Sequence, residues 1–589
     1  MPIQIEQRQK SLDVDLCRPS DDPQVRWAVY PYPPLTVEGQ SEVRVFEVLH
    51  MDTPFLSAEI VPALGGRTIS LTDKRTGTDV FDPANLLQAH KRGPRRFELS
   101  GGLEIGVGNG CRPNAMGPVD VQASDEEIVW HERILGTGLS FHTVVTGVED
   151  RAELMVEVRV FNRWLTPQAY AGWFSAGIDG QTGANWAYDE RRQAGLVVGF
   201  PKGMLGPWAP RPSRAAWGRF GEGICEWLAP RQLDTWAFRL FPVSGLRRID
   251  GASEFGAVCV QEEGFEIVAF RSVEGAKVYV KTTQGETLAS TINFDPSKPV
   301  RVSLGAQAIL VRDPQGEELL QWPQAPPPAP SALKPVGSVA MAALRSAQIE
   351  PGPSRESHYF DAVDKLSEGK DPTEDLALSS FVPLLRAPSH TVQGCWHLQR
   401  SEWLEAARCF DSALQYNPDD HLSWWHKALA LRLAGEPGED EMPNAHYLAP
   451  LEPVLRAEAF LSQPHDGNPD PSPIVAPLAN DVESLVEIAC LLIESRLFEQ
   501  AARWIDEALR HCKDARLHHL LAYCHLEGTK LTLETAQQVK AARDCENEWS
   551  KPWQPVELRA LKRLSEVFEG DIGLAQRSEN ATMMMKGRL

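Results

Sequence analysis

The chain has 589 residues, too many for one hydrophobic core, so at least two domains are expected. Its 80 acidic against 59 basic side chains leave a formal net charge of -21, which works against nucleic-acid binding, where phosphate contacts need clustered Lys and Arg. The ten cysteines show no Cys-x-x-Cys pair or metal-type spacing, and no stretch approaches a signal-peptide core or a membrane span. The reading is a cytoplasmic protein with reduced thiols, no metal, no cofactor and no membrane partner.

Residues 1–42 are read as an N-terminal extension. From Val43, β-branched and aromatic runs alternate with turn residues. Val43 to Leu49 and Phe55 to Val61 read as strands broken by Asp52-Thr53-Pro54. Pro62-Ala63-Leu64-Gly65-Gly66 leads into a strand over 67–72, and Asp73-Lys74-Arg75-Thr76-Gly77 follows as a turn whose glycine can take positive φ. The rhythm continues through 127–132, 139–146, 152–162, 170–178, 235–241, 256–261, 266–272, 277–283 and 306–312. Many short strands without amphipathic helices between them predict an antiparallel β-sandwich, placed at 43–322, rather than a βαβ sheet.

The run Gln321-Trp322-Pro323-Gln324-Ala325-Pro326-Pro327-Pro328-Ala329-Pro330 ends that rhythm, and 323–337 is read as a Pro-rich linker. Beyond it Ala, Leu and Glu recur at helical spacing over 338–573, before a frayed tail at 574–589. Gly394, Ala406, Phe410, Ala413 and Pro418 stand at the spacing of a tetratricopeptide repeat, where small residues let two helices approach and Pro ends the second. Trp424 opens the next repeat. Ala501-Ala502-Arg503 echoes Ala406-Ala407-Arg408 at an offset of 95 residues, short of three repeats of about 34, so the period slips, with Gln463 to Ser472 as its loop.

Several words in the first half resemble a galactose-mutarotase-like domain of an uncharacterised bacterial family in which that β-supersandwich precedes tetratricopeptide repeats. Pro62 to Arg67 with Asp73 to Gly77 is similar to its opening hairpin, and Asp82-Pro83-Ala84-Asn85 to its Asn-Pro turn. Gly101-Gly102-Leu103-Glu104, Gly117-Pro118-Val119-Asp120 and the stretch from Leu228 to Gly245 resemble later words. The stretch between Ile178 and Glu226 is shorter and matches loosely. The resemblance implies an N-terminal β-supersandwich and a C-terminal all-α solenoid of about five helix pairs. It also implies a carbohydrate ligand on the concave face of one sheet.

Sugar chemistry sets what to look for. Opening a ring at the anomeric carbon needs a base and an acid, whereas hydrolysis needs two carboxyl groups flanking the bond. Glu104 stands first, because Gly101-Gly102 and the glycines at 106, 108 and 110 would let a ligand reach the backbone; a turn-capping carboxylate is the plainer alternative. Glu226 is second, an acidic group among apolar neighbours on a strand. His131 and His142 lie on strands and offer an acid near neutral pH, although a strand histidine is usually just hydrogen-bonded. Arg67 and Arg112 offer forked donors, and Asn85 a weaker contact. Of 17 tryptophans, Trp186, Trp208 and Trp217 lie in Gly- and Pro-rich segments and suit a sugar's apolar face, whereas Trp164, Trp173 and Trp236 read as core.

The leading expectation is hydrolysis of a glycosidic bond, with Glu104 and Glu226 as the carboxylate pair roughly 5 to 10 Å apart in one cleft. The alternatives are a mutarotase-type epimerase and a non-catalytic carbohydrate-sensing or scaffold protein. The helical half offers a surface for a protein partner or self-association, or simply braces the sandwich.

Overall fold

A computed structural model of the protein describes residues 3–19, 35–82, 87, 89–91, 97–107, 117–135, 137–183, 185–199, 216–220, 226–282, 285–323, 339–349, 352, 354–461, 470–478, 481–529, 532–545, 552, 554–568, 571 and 573–579. Two large antiparallel sheets face each other in the first half. One runs through the strands Gln4–Pro19, Leu35–Asp52, Leu56–Val61, Arg67–Asp73, Leu103–Val107, Gly172–Ala176 and Ala216–Phe220. The other runs through Gln181–Thr182, Trp186–Asp189, Ala194–Gly199, Leu233–Ser244, Leu154–Asn162, Leu139–Gly147, Glu127–Ile134 and Asp120–Ala123.

Period-two alternation fixes what each strand turns inward. Leu103, Ile105 and Val107 meet Ile128, Trp130, Leu139, Phe141, Val156 and Val158 in one apolar core, all nearly free of solvent. The alternate residues, Glu104 on the first sheet and His131 and Arg133 on the second, therefore stand on the outer faces. The turn over Asp73–Gly77 forms as expected, with Gly77 at φ +72° and its N–H donating to the Asp73 carbonyl at 2.8 Å.

Two segments depart from the expected division. Residues set apart as an extension instead supply Gln4–Pro19, which pairs along most of Leu35–Asp52 as the sheet's edge. Its apolar Leu12 and Val14 pack with Val48, Val61 and Leu64, so alternation was present there but diluted by charged neighbours. Residues 251–322 fold into two further four-stranded sheets around Phe255, Ile267, Val278, Val280 and Val311. A second apolar cluster joins this smaller β unit to the large sandwich through Phe241, Val243, Ala257 and Phe270.

Residues 324–338, which hold most of the Pro-rich segment, lie outside the described residues, as does 462–469. The second region is all α. Its helices include Val339–Ile349, Arg355–Glu368, Arg386–Gln399, Trp403–Tyr416, His421–Ala434, Pro453–Leu461, Val482–Glu494, Phe498–His511, Ala515–Cys524, Thr532–Asp544 and Pro555–Val567. The repeat spacing has a direct cause: a Cβ on Gly394 would lie 2.8 Å from the Phe410 ring, so only glycine lets these two helices close. Residues 573–579, expected to fray, are helical and bury Leu574 beside Val539 and Leu561.

The helices pack on the outer face of the second sheet. Phe161 joins Leu422, Trp425, Leu485 and Ile488 in one cluster, and Val129 and Val144 close on Leu451. This contact, made by residues about 300 positions apart, creates the buried seam and the cavity described below.

Candidate functional site

Arg67 and Glu104 come together as an ion pair, Nη2 to Oε2 at 2.5 Å, with the residues 2% and 3% exposed. Arg67 Nη1 also donates to the Gly101 carbonyl at 2.8 Å. The neighbouring glycines serve the chain rather than a ligand. A Cβ on Gly102, at φ +64°, would lie 2.4 Å from the Thr68 carbonyl oxygen, and one on Gly177 would lie 2.4 Å from the Gly101 Cα. A carboxylate held this way is poorly placed to shuttle protons. Glu104→Gln should leave a buried guanidinium without its counter-charge and cost about 3–5 kcal/mol, measured by denaturant unfolding. A loss below about 1 kcal/mol would show that the pair is not structural.

Glu226 lies on the strand Glu226–Leu228, opposite Tyr170, while Glu104 is opposite Ser175. Tyr170 and Ser175 are five residues apart, which is about 16 Å along an extended chain, so the register does not bring the two backbones side by side. The Glu226 side chain lies outside the described residues, as does that of Trp217 on Ala216–Phe220. Asn85, Arg112 and Trp208 lie outside them altogether. Trp186 is buried against Tyr188, Val197 and Leu246, at the joint with the smaller β unit, where it presents no free ring face.

His131 and His142 are cross-strand partners whose rings stack at 4.4 Å, under the helices rather than near Glu104. They belong to a buried polar seam. Glu452, fully buried, pairs with Arg163, and its Oε2 lies 3.9 Å from His131 Nε2 and 3.7 Å from His421 Nε2. Arg163 also pairs with Glu487, which accepts from Arg133 Nη1 at 2.7 Å, and Arg133 Nη2 reaches Asp481 at 3.0 Å. Burial pushes the Glu452 carboxyl upward, but Arg163 together with His421 and His131 holds it well below the usual carboxylate range. Burial, then the neighbouring imidazole charge, pushes His131 well below its ordinary value and His142 down to about 3. Both are therefore neutral near pH 7. These groups clamp the two regions together and leave no open acid or base.

Beside this seam lies a cavity of about 370 Å³ between sheet and helices, within the size range of small-molecule sites. Asn162, behind the lining residues, holds one wall together. Its amide donates to the Thr166 and Ala229 carbonyls at 2.8 and 2.9 Å and its Oδ1 accepts from the Trp164 N–H at 3.0 Å, tying residues 162–166 to the turn at 229–232. Trp164 follows the strand instead of sitting in it, and its ring lies over Gly138, where a Cβ would come within 2.4 Å. It is half-buried and lines the cavity.

Arg231 enters from the facing turn with φ +61°, a conformation unfavourable for a residue with a Cβ. It is 4% exposed, yet its Nε and Nη1 have no hydrogen-bond partner among the described residues. Two more lining residues carry unmet buried atoms, Gln399 at Oε1 and Gln554 at Nε2. His426, pushed down to about 3 by burial and then by the Arg231 charge, turns Nδ1 to the Leu422 carbonyl at 2.7 Å and so offers Nε2 as an acceptor. No sequence pattern marks Arg231 or Gln399.

On the helical surface, His358, Asp361 and Asp375 place ligand-type atoms within 4.8 Å of one another. His358 Nδ1 and Lys365 Nζ already engage the two oxygens of Asp375, at 2.9 and 2.5 Å. No helix among the described residues is long and apolar enough to cross a membrane.

A family model described as a domain of unknown function (DUF5107) matches residues 25–198. Among solved structures, a TPR-domain containing protein from Parabacteroides distasonis ATCC 8503 is 13% identical with a TM-score of 0.35, over 96% of this chain and 95% of that one. A galactose mutarotase-like protein from Lactobacillus casei ATCC 334 is 9% identical with a TM-score of 0.25, over 33% and 99%. A 4-alpha-glucanotransferase from Thermococcus litoralis is 9% identical with a TM-score of 0.22, over 34% and 38%. The chain has a two-part architecture, β-rich then all-α, and a low-identity resemblance to TPR-repeat and mutarotase-like proteins.

Proposed function

We propose that the protein is a non-catalytic carbohydrate-sensing protein whose ligand seats in the cavity where the two regions meet. The observation that carries this is the lining: a half-exposed tryptophan ring beside polar groups that lack partners, the pairing a sugar's apolar face and hydroxyls require. The resemblance of the first half to mutarotase-like domains supports the same ligand class. Hydrolysis and epimerisation are less well supported, because Glu104 is neutralised by Arg67 and both strand histidines are sealed beneath helices. In this reading the β-rich part up to Trp322 and the helices over 338–573 act as two jaws, and the helical region braces the sheet as well as closing the site.

The test is calorimetric titration of the full chain with a panel of mono- and oligosaccharides, alongside assays for sugar release and anomer interconversion. Saturable binding without turnover is expected, and Trp164→Ala should weaken it about fivefold or more, since aromatic packing on a ligand contributes roughly 1 kcal/mol or more. Catalytic turnover of any sugar in the panel would overturn the reading.

A further inference from the structure

The cavity holds guanidinium groups that no carboxylate among the described residues pairs directly. Four arginines line it, Arg133, Arg163, Arg231 and Arg559, together with Asp364, Glu487 and Glu494. The first two are committed to Asp481, Glu487 and Glu452 in the clamp between regions. Arg231 has no ion pair or side-chain hydrogen bond among the described residues, although it is almost wholly buried. Arg559, half-buried on the helix Pro555–Val567, has none there either. Glu494, on the same wall, makes no hydrogen bond with either guanidinium, and its carboxyl is raised by burial against the pull of Arg559 and Arg231.

A buried guanidinium without a directly paired counter-ion is costly, and holding it on a left-handed backbone costs more. Nothing in the packing of the turn at 229–232 requires that side chain: Asn162 and Gln232 tie the turn through backbone groups, and Asn417 contacts only the Arg231 carbonyl. The planar fork of arginine matches an oxyanion, whose two oxygens take parallel N–H bonds. The amide groups of Gln399 and Gln554 supply an acceptor and a donor of the kind hydroxyls use.

We infer that the ligand is an anionic monosaccharide, its carboxylate or phosphate held by Arg231 with Arg559, its hydroxyls by Gln399 and Gln554, and its apolar face by Trp164. This rests on the reading of the cavity as a sugar site and narrows it to one chemical class. The shared chemistry is an oxyanion on a polyhydroxylated ring, which a sugar acid and a sugar phosphate both present.

The experiment titrates the full chain with glucuronate, galacturonate and glucose 6-phosphate, against glucose and galactose, with acetate and inorganic phosphate as bare anions. At least one acidic sugar should bind tenfold or more tighter than its neutral parent, and added salt should narrow the gap. Whether a uronate or the phosphate binds tighter identifies the oxyanion. Arg231→Gln should abolish the preference while leaving the unfolding temperature unchanged or higher, because it removes an uncompensated charge. Arg559→Gln, on a separate helix, reports the same loss should the first variant fail to fold. Neutral sugars binding as tightly as acidic ones, or an Arg231→Gln variant that folds and keeps the preference, would overturn the inference but leave the sugar site standing. Acetate or phosphate binding as tightly as the acidic sugars would also overturn it. Binding of no sugar at all would sink both.

Discussion

Replacing Glu452 by Ala is expected to destabilise the protein by about 3–5 kcal/mol, the largest effect of any single substitution at the junction. Glu452 is fully buried, pairs with Arg163 and stands within 3.9 Å of two histidines, so its loss leaves cationic and polar groups facing each other without water. Its backbone carbonyl also opens the helix Pro453–Leu461, accepting from Leu455 at 3.1 Å, and alanine keeps that bond. The effect therefore reports on the carboxylate. Because Glu452 and Arg163 tie helix to sheet, Glu452→Ala should also split one unfolding transition into two, visible by calorimetry and by circular dichroism followed at separate β and α signals. Arg163→Met combined with Glu452→Leu should recover much of the loss, since apolar replacements of similar volume remove the desolvation penalty of both charges. A single unchanged transition in Glu452→Ala would mean that the seam does not couple the two regions.

Acidification should act on the buried histidines of the seam, of the cavity wall and of the helix Ala515–Cys524. His131, His142, His426 and His519 are all buried, and burial lowers each well below its ordinary value, to about 3 for the last three. Their unfolded value is near 6.5, so between there and the folded value the unfolded chain binds more protons, and stability falls as pH falls. From pH 7.5 to pH 5.5 each such histidine should cost on the order of 1 kcal/mol, and the four together a few kcal/mol. Carboxyls raised by burial, Glu494 and Asp120 among them, oppose this, because they take up protons more readily when folded. Their counter-slope belongs nearer the ordinary carboxylate range. Denaturant midpoints measured across pH 5.5–7.5 check the slope, and His131→Asn with His142→Gln should flatten it by about half. A midpoint constant over that range would refute the assignment of these imidazoles as neutral and buried.

Much of the architecture was legible from local pattern. Alternation marked the strands from Val43 onward, and Gly394 with Phe410 announced a close helix pair because a Cβ at 394 would strike that ring. Gln4–Pro19 escaped because an edge strand buries only one row, here Leu12 and Val14, among charged neighbours. The small β unit at 251–322 escaped for a different reason: strand patterns do not say which sheet a strand joins. At the site, Glu104, Arg67, His131 and His142 were all singled out by type and setting. Their partners were not, and the partners determine what each can do. A glutamate beside two glycines reads as reactive until Arg67 neutralises it, and a strand histidine reads as an acid until helices bury it.

The order of strands, then helices, and the Pro-rich break between them follow from composition and periodicity, which act over a few residues and need no knowledge of the remainder. The junction does not. Trp164, Arg231, Gln399 and Gln554 span 390 positions and meet only because the outer face of one sheet packs on helices. Burial, which is a property of that packing alone, turns an ordinary arginine at 231 into a charge that faces a cavity without an ion pair among the described residues.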